Sequence, residues 1–278
     1  MGIKARLCMF GDGPPVLIVP GNTGDSFPFA PLIARLSGYQ LIALNLPGGG
    51  LSEGMDYRTV PYRALANETL GAVLDYLELD RVPIISHSMG SHRSLWFAMD
   101  QSERVERLVL LGVPGNVLGC RPPLALRITS IPGINRAVFP FAIPKRPGQA
   151  LRGLSFMGHG QRTVSALPRE MAECYYRFQH LPHYRISALS LMEATCSLFG
   201  SRPKIRIREQ DLRRVRRPTL LIWGSSDPFG SVEDGQEIAS YIEGSRFAAL
   251  DGAGHLPWLD EPALCAEKIR EFLSATRV

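Results

Sequence analysis

The chain has 278 residues, 45% of them hydrophobic and 21% charged, with a net charge of +5. That is enough for one large α/β domain carrying an insertion, and it excludes extensive disorder. The longest apolar runs, such as residues 16–19 and 108–111, are strand-sized and far short of the ~20 residues that cross a bilayer, so no integral membrane association is expected.

In chain order, residues 3–10 supply one strand, and residues 16–19 a second that ends in Pro20-Gly21. Residues 29–36 have helical spacing. Residues 40–44 form a third strand, running into Pro47-Gly48-Gly49-Gly50. Leu65, Leu70, Val73, Leu74 and Leu77 recur as one apolar helix face. Residues 82–85 form a strand that meets a helix over 89–98, and 107–111 is another strand. The rhythm then breaks over residues 114–217, which are rich in Pro, Arg and aromatics, with helices expected at 169–179 and 186–199. Strands return at 219–223 and 247–250, and a helix at 262–275 closes the chain. Strands alternating with helices, their strands near-continuously apolar, predict an α/β fold: a mostly parallel twisted sheet with helices on both faces. The expected organisation is a core of residues 1–113 and 218–278 and an inserted, mainly helical cap (a lid) of residues 114–217.

Charge is unevenly spread. Residues 114–217 carry 18 Lys and Arg against 5 Asp and Glu, whereas the remainder carries 13 against 21. Such a segment suits an anionic substrate, an acidic carrier protein or an anionic lipid surface; nothing in the chain points to nucleic acid. The five cysteines, Cys8, Cys120, Cys174, Cys196 and Cys265, are scattered without a C-x-x-C pair, which favours reduced thiols in a cytoplasmic protein over disulfides or zinc. The N-terminus lacks the apolar region of a signal peptide.

The chemistry concentrates at Ser86-His87-Ser88-Met89-Gly90, where a buried strand turns into a helix. A nucleophile on so sharp a turn needs small residues two before and two after it, and Ser86 and Gly90 are both small. A serine hydroxyl needs a base, and His255, in the glycine-rich loop after the last strand, is placed to reach the strand ends. His87 and His92 flank Ser88 but are expected to point away from it, and His159, His180 and His183 fall in the insertion. The base in turn needs an acid. Asp227 follows the strand 219–223, whereas the alternative spot after residue 111, Gly112-Val113-Pro114-Gly115-Asn116, offers no carboxylate. The order Ser, Asp, His is the one expected of this fold. Asp260 and Glu261 read as an N-terminal charge cluster of the last helix. The oxyanion hole is expected from the backbone N–H groups of Met89 and of Asn22, in the turn Pro20-Gly21-Asn22-Thr23-Gly24. His87, Phe139, Phe156, Tyr175 and Trp258 are candidate substrate-binding residues. No dinucleotide, phosphate-loop or zinc-ligand motif is present, so neither cofactor nor metal is expected.

Pro20-Gly21-Asn22, Asn45-Leu46-Pro47-Gly48-Gly49-Gly50-Leu51-Ser52, the stretch 86–90, Trp223-Gly224-Ser225-Ser226-Asp227 and Gly254-His255 with Pro257 and Glu261-Pro262 together resemble the α/β-hydrolase superfamily, among its capped esterase, lipase and non-haem haloperoxidase-like members. The likeness covers nearly the whole chain outside the insertion. It departs at Pro20-Gly21, where the family usually has His-Gly, and at Asn45 and Gly49, where it usually has Asp and His. The resemblance implies an active site at the carboxyl ends of the strands, beneath the cap, and hydrolysis of a small ester-type molecule through an acyl-enzyme. Thioester, lactone and β-diketone C–C substrates share the same machinery, although the C–C type usually carries Asn before the nucleophile, where this chain has His87. Epoxide hydrolases and haloalkane dehalogenases need Asp at the place of Ser88. The alternative outside enzymes is a catalytically silent ligand-binding protein on the same scaffold.

Overall fold

The computed structural model describes residues 2, 4–22, 24–113 and 115–275. Ile3, Thr23 and Pro114, which entered the expected first strand, oxyanion turn and insertion, lie outside them, as do Met1 and residues 276–278. Seven strands form one sheet: β1 (Arg6–Phe10), β2 (Pro15–Val19), β3 (Gln40–Asn45), β4 (Val82–His87), β5 (Val105–Leu111), β8 (Thr219–Gly224) and β9 (Arg246–Leu250), in the order β1-β3-β2-β4-β5-β8-β9. β1 pairs antiparallel with β3 and every other pairing is parallel. A separate hairpin joins β6 (Cys196–Ser197) to β7 (Gly200–Ser201).

Side chains alternate across a strand, so each central strand feeds two cores. Leu17, Val19 and Ile84 pack on one face with helix α1 (Tyr62–Tyr76) and helix α2 (Met89–Asp100). Val16, Ile18 and Ile85 pack on the other with α7 (Pro262–Ser274). Helix α6 (Val232–Ser240) covers the β8–β9 end and starts with a capping box in which Ser231 accepts from the Asp234 N–H. Both faces are covered, as expected of parallel strands apolar on both sides.

The segment between β5 and β8 adds no strand to the large sheet. It carries a short helix, Leu124–Ile128, then α3 (Ile134–Ala142), α4 (Arg169–Gln179) and α5 (Tyr184–Thr195). Its two ends are stitched together, since the Leu118 N–H donates to the Ile207 carbonyl at 2.8 Å and the Ile207 N–H to the Asn116 carbonyl at 3.0 Å.

Two expected helices are shorter. Over residues 29–36 the chain makes a 3-10 turn (Phe27–Phe29) and one α turn (Ala30–Ile33): Pro28 and Pro31 each stand in a first turn, where proline starts a helical piece rather than continuing one, and Gly38, at φ 86°, turns the chain away. The helix expected to reach residue 199 stops at Thr195, and the hairpin turns through Leu198 and Phe199, with Gly200 at φ 115° opening β7.

Candidate active site

β4 delivers Ser88 at the carboxyl edge of the sheet in a conformation that side chains avoid, φ 51° and ψ −121°. The neighbours make that turn possible. A Cβ on Gly90 would sit 2.3 Å from the Val19 carbonyl oxygen and 2.4 Å from that of Pro20, so only glycine fits where α2 passes β2. Gly21 is under similar pressure, since its Cβ would lie 2.8 Å from Nδ1 of His87.

Around that turn the three distant residues meet. The Ser88 hydroxyl lies 2.8 Å from Nε2 of His255, and Nδ1 of His255 lies 2.7 Å from Oδ2 of Asp227. All three are buried. The other carboxylate oxygen of Asp227 accepts the Phe229 N–H at 2.9 Å, and the Phe229 ring stacks on the imidazole with centroids 4.2 Å apart. After β5, Gly112 leaves room for the pair, since a Cβ there would stand 3.3 Å from Nδ1 of His255 and 3.4 Å from Oδ2 of Asp227. A hydroxyl bonded to an imidazole whose far nitrogen faces a carboxylate can lose its proton as it attacks an electrophile.

The main chain of His255 and its neighbours is held from three directions. Its own N–H donates to the Met157 carbonyl at 2.8 Å, and its carbonyl accepts from Nε2 of His87 at 3.1 Å. The Gly254 N–H donates to Asp260 at 2.9 Å, and the Leu256 N–H to Nε2 of His159 at 3.3 Å. Asp260 and His159 are themselves joined, Nδ1 to Oδ2, at 2.7 Å, and Thr163 donates to the second oxygen at 2.6 Å. Burial pushes the Asp260 pKa up, but the hydrogen bonds from His159, Thr163 and Gly254 outweigh it and hold the carboxyl below its ordinary value. An ionised Asp260 can only accept, so His159 carries its proton on Nδ1 and offers the lone pair of Nε2 to Leu256.

Several expectations about single residues are corrected by this network. His87 does not point away: it lines the cavity above Ser88, its ring 4.8 Å from that of His255. Burial first, and then the nearby His255, hold its pKa well below the usual histidine value, so it stays neutral. Asp260 is no helix-terminus charge but the hub that ties the His255 loop to the insertion. His159, in the insertion, is buried against the His255 loop. His92 does point away, with Nε2 2.6 Å from the Ile205 carbonyl. Of the candidate substrate-binding residues, His87 and Tyr175 line the cavity. Trp258 instead lies under it, stacked on Phe29 at 4.5 Å with its indole N–H on the Pro28 carbonyl at 2.8 Å. Phe139 packs on Tyr184 and Arg185 inside the insertion, and Phe156 is 77% exposed. An apolar ring says that something will cover it, not what.

The cavity holds about 300 Å³ and reaches from Ser88 into the insertion. Asn22 and Met89 both border it. Met89 opens α2, where a first-turn N–H has no intrahelical acceptor, and the turn holding Asn22 is closed by the Gly24 N–H on the Gly21 carbonyl at 3.1 Å. The walls are mainly apolar, with Leu126, Leu154, Met157, Tyr175 and Met192 contributed by the insertion. Asn116 adds a buried amide whose Oδ1 has no partner among the described residues. Asp25 is the sole charged side chain among the described lining residues, and no Lys or Arg joins them.

A family model for the α/β hydrolase fold matches residues 14–262. Similar curated proteins include the uncharacterized hydrolase YugF of Bacillus subtilis (strain 168), 26% identical over 93% of this chain and 89% of its own length. Another is the 2-hydroxy-6-oxo-2,4-heptadienoate hydrolase of Pseudomonas putida, 26% identical over 99% and 94% respectively. Among solved structures, the enol-lactonase of Burkholderia xenovorans LB400 superposes with a TM-score of 0.77 at 19% identity, covering 99% of this chain and 98% of that one. A thermophilic esterase of Thermogutta terrifontis gives 0.73 at 23% identity, covering 98% and 93%. The match over most of the chain, together with the parallel sheet and its strand order, makes this protein a member of the α/β-hydrolase-fold family.

Proposed function

We propose that this protein is a serine hydrolase that cleaves neutral, mainly apolar carboxylic esters through an acyl-enzyme on Ser88. The observation that carries this reading is the unbroken line from the Ser88 hydroxyl to His255 to Asp227, at 2.8 and 2.7 Å, opening on an apolar cavity. Ser88 Oγ adds to the ester carbonyl while Nε2 of His255 takes its proton. The developing oxyanion is met by the N–H groups of Met89 and Asn22. Collapse breaks the acyl–oxygen bond, and His255 returns the proton to the departing alcohol. A water, deprotonated by the same nitrogen, then attacks the acyl-enzyme, releases the acid and restores Ser88. The insertion serves as a cap, closing the site and supplying the acyl wall.

The cavity argues for a neutral ester within this family. The relative from Pseudomonas putida is named for a dienoate, a carboxylate-bearing compound. A buried carboxylate needs a cationic or multiply donating partner, and no Lys or Arg lies among the described lining residues. The excess positive charge of the insertion, expected to suit an anionic substrate, is therefore not directed into the site.

The test is an alkyl fluorophosphonate together with a ladder of p-nitrophenyl esters. The phosphonate is expected to add once, with the adduct on the peptide containing Ser88. Specificity constants are expected to climb about fourfold per methylene, the value of about 0.8 kcal/mol for burying each, until the chain outgrows the cavity. Folded protein that takes up no phosphonate would overturn the reading. Preference for a dienoate C–C substrate over every ester would overturn its substrate class.

The Asp260–His159 pair bears on the same chemistry at a distance. Asp260→Asn is expected to lower kcat by roughly 10- to 100-fold, the order a misplacement of about 1 Å costs, with KM little changed. Single-turnover acylation rates measured beside thermal midpoints check it. A fall in stability with kcat intact would make the pair merely structural.

A further inference from the structure

Helix α3 (Ile134–Ala142) is nearly all apolar, yet Asn135 is its only buried residue. Ile134, Val138 and Phe141 stand in solvent, Phe141 at 88%. Asn135 anchors the helix by donating to Glu193 near the end of α5, at 2.8 Å. Three residues after Glu193 the β6–β7 hairpin begins, and at its tip Leu198 and Phe199 are exposed too, Phe199 at 90%. The hairpin is tied in turn to the short helix Leu124–Ile128 by Arg127, whose Nε donates to the Leu198 carbonyl at 2.8 Å. That helix exposes Leu124 and Ile128 and turns Leu126 into the cavity. An exposed apolar surface drawn from three linked elements is unusual for a monomer.

The stretch that carries the short helix and α3 has charge of one sign. Between Arg121 and Arg169 the chain carries eight Lys and Arg and no Asp or Glu. Arg136 on α3, Lys145 and Arg146 just after it, and Arg185 at the start of α5 are exposed. Glu193, the one acidic residue of α5, is buried and held by Asn135 and Arg58. We propose that this face of the insertion, formed by the short helix, α3 and the hairpin tip, docks on anionic lipid membranes.

Charge selects that occupant. A second copy presenting the same face would bring like charges together, whereas anionic headgroups neutralise the arginines while Phe141, Val138 and Phe199 enter the acyl boundary. Phenylalanine rings almost wholly free of their own protein are suited to insertion, and arginine stems can lie along the apolar surface with their heads at the phosphates. No membrane-crossing helix is involved: none among the described residues is long and apolar enough. Because Leu126 lines the cavity from the inner side of the same surface, a docked molecule would hold its cavity wall at the lipid boundary.

Co-sedimentation with vesicles tests this. Vesicles of phosphatidylcholine with about one-third phosphatidylglycerol are expected to bind the protein at least tenfold more tightly than phosphatidylcholine alone, with binding lost as salt shortens the Debye length. Phe141→Glu with Phe199→Glu is expected to reduce that binding at least tenfold. Circular dichroism, the thermal midpoint and hydrolysis of a short soluble ester should stay unchanged, since neither ring is packed or lines the cavity. A Phe199→Trp reporter is expected to shift its emission to the blue on anionic vesicles only. Equal binding to both vesicle types, or binding that survives the double substitution, would overturn the proposal. So would light scattering that shows a dimer dissociated by the same substitutions, or capture of a defined acidic protein with no vesicle binding. Vesicle binding, the thermal midpoint and the tryptophan emission do not depend on Ser88, so a failed hydrolase reading would leave this test intact.

Discussion

Ser88→Ala is expected to reduce turnover of a short p-nitrophenyl ester by about 10⁶-fold, the loss typical when one member of such a unit is removed. The substitution deletes one oxygen and little else. Serine and alanine both carry a Cβ, so the positive φ of 51° at this position is equally strained in either. The small neighbours that permit it, Gly90 above all, are untouched. What disappears is the bonding atom 2.8 Å from Nε2 of His255. The fold should survive with its thermal midpoint within a few degrees, and phosphonate uptake should vanish. Because a nucleophile and its base act as one unit, His255→Ala is expected to cost about as much, and the double variant no more than either single one. Initial rates over the four proteins decide it. Additive losses would mean that serine and imidazole act separately, and a loss under tenfold for Ser88→Ala would remove it as nucleophile.

How much of this could be read beforehand depends on the range of the interaction. Strands such as 82–85 were legible because a parallel strand buried on both faces must be apolar throughout, and the elbow because sterics at Gly90 are local. Asp227 and His255 are legible from their places after the late strands, because a parallel sheet brings carboxyl ends to one edge and the spot after residue 111 offers no competing carboxylate. Residues whose role is made by a distant partner left no such mark. His159 and Asp260 are 101 positions apart, and neither has a local pattern that calls for the other. His87 is half legible: it lines the cavity as a candidate substrate-binding residue, but strand alternation gives a direction relative to the sheet, not to a neighbour whose loop folds over it, and so does not show its contact with His255. The aromatics of residues 114–217 failed for a related reason: Tyr175 meets the cavity, Phe139 the interior of the insertion, and Phe141 solvent. A clearer signal was available in the absence of any carboxylate between Arg121 and Arg169, since a charge run needs no partner to be seen.

Asp227→Asn separates charge and tautomer from shape. The amide fills the same volume, and its oxygen can still accept the Phe229 N–H, now 2.9 Å from Oδ1. Toward His255 the consequence differs. With Asp227 ionised, Nδ1 of His255 must be the donor across 2.7 Å, which leaves the lone pair of Nε2 for the Ser88 proton. An asparagine amide nitrogen turned to Nδ1 donates instead, so the imidazole proton moves to Nε2 and faces the hydroxyl it ought to deprotonate. The imidazolium formed during attack also loses its counter-charge in a site where all three groups are buried. Together these are expected to lower kcat about 10⁴-fold, with KM nearly constant and the fold intact. A far-downfield proton resonance from Nδ1–H, present in wild type and missing in the variant, would report the switched tautomer directly. A variant within tenfold of wild type would mean that the carboxylate does not set the state of His255, and the base would have to be oriented by Phe229, His87 and the Met157 carbonyl alone.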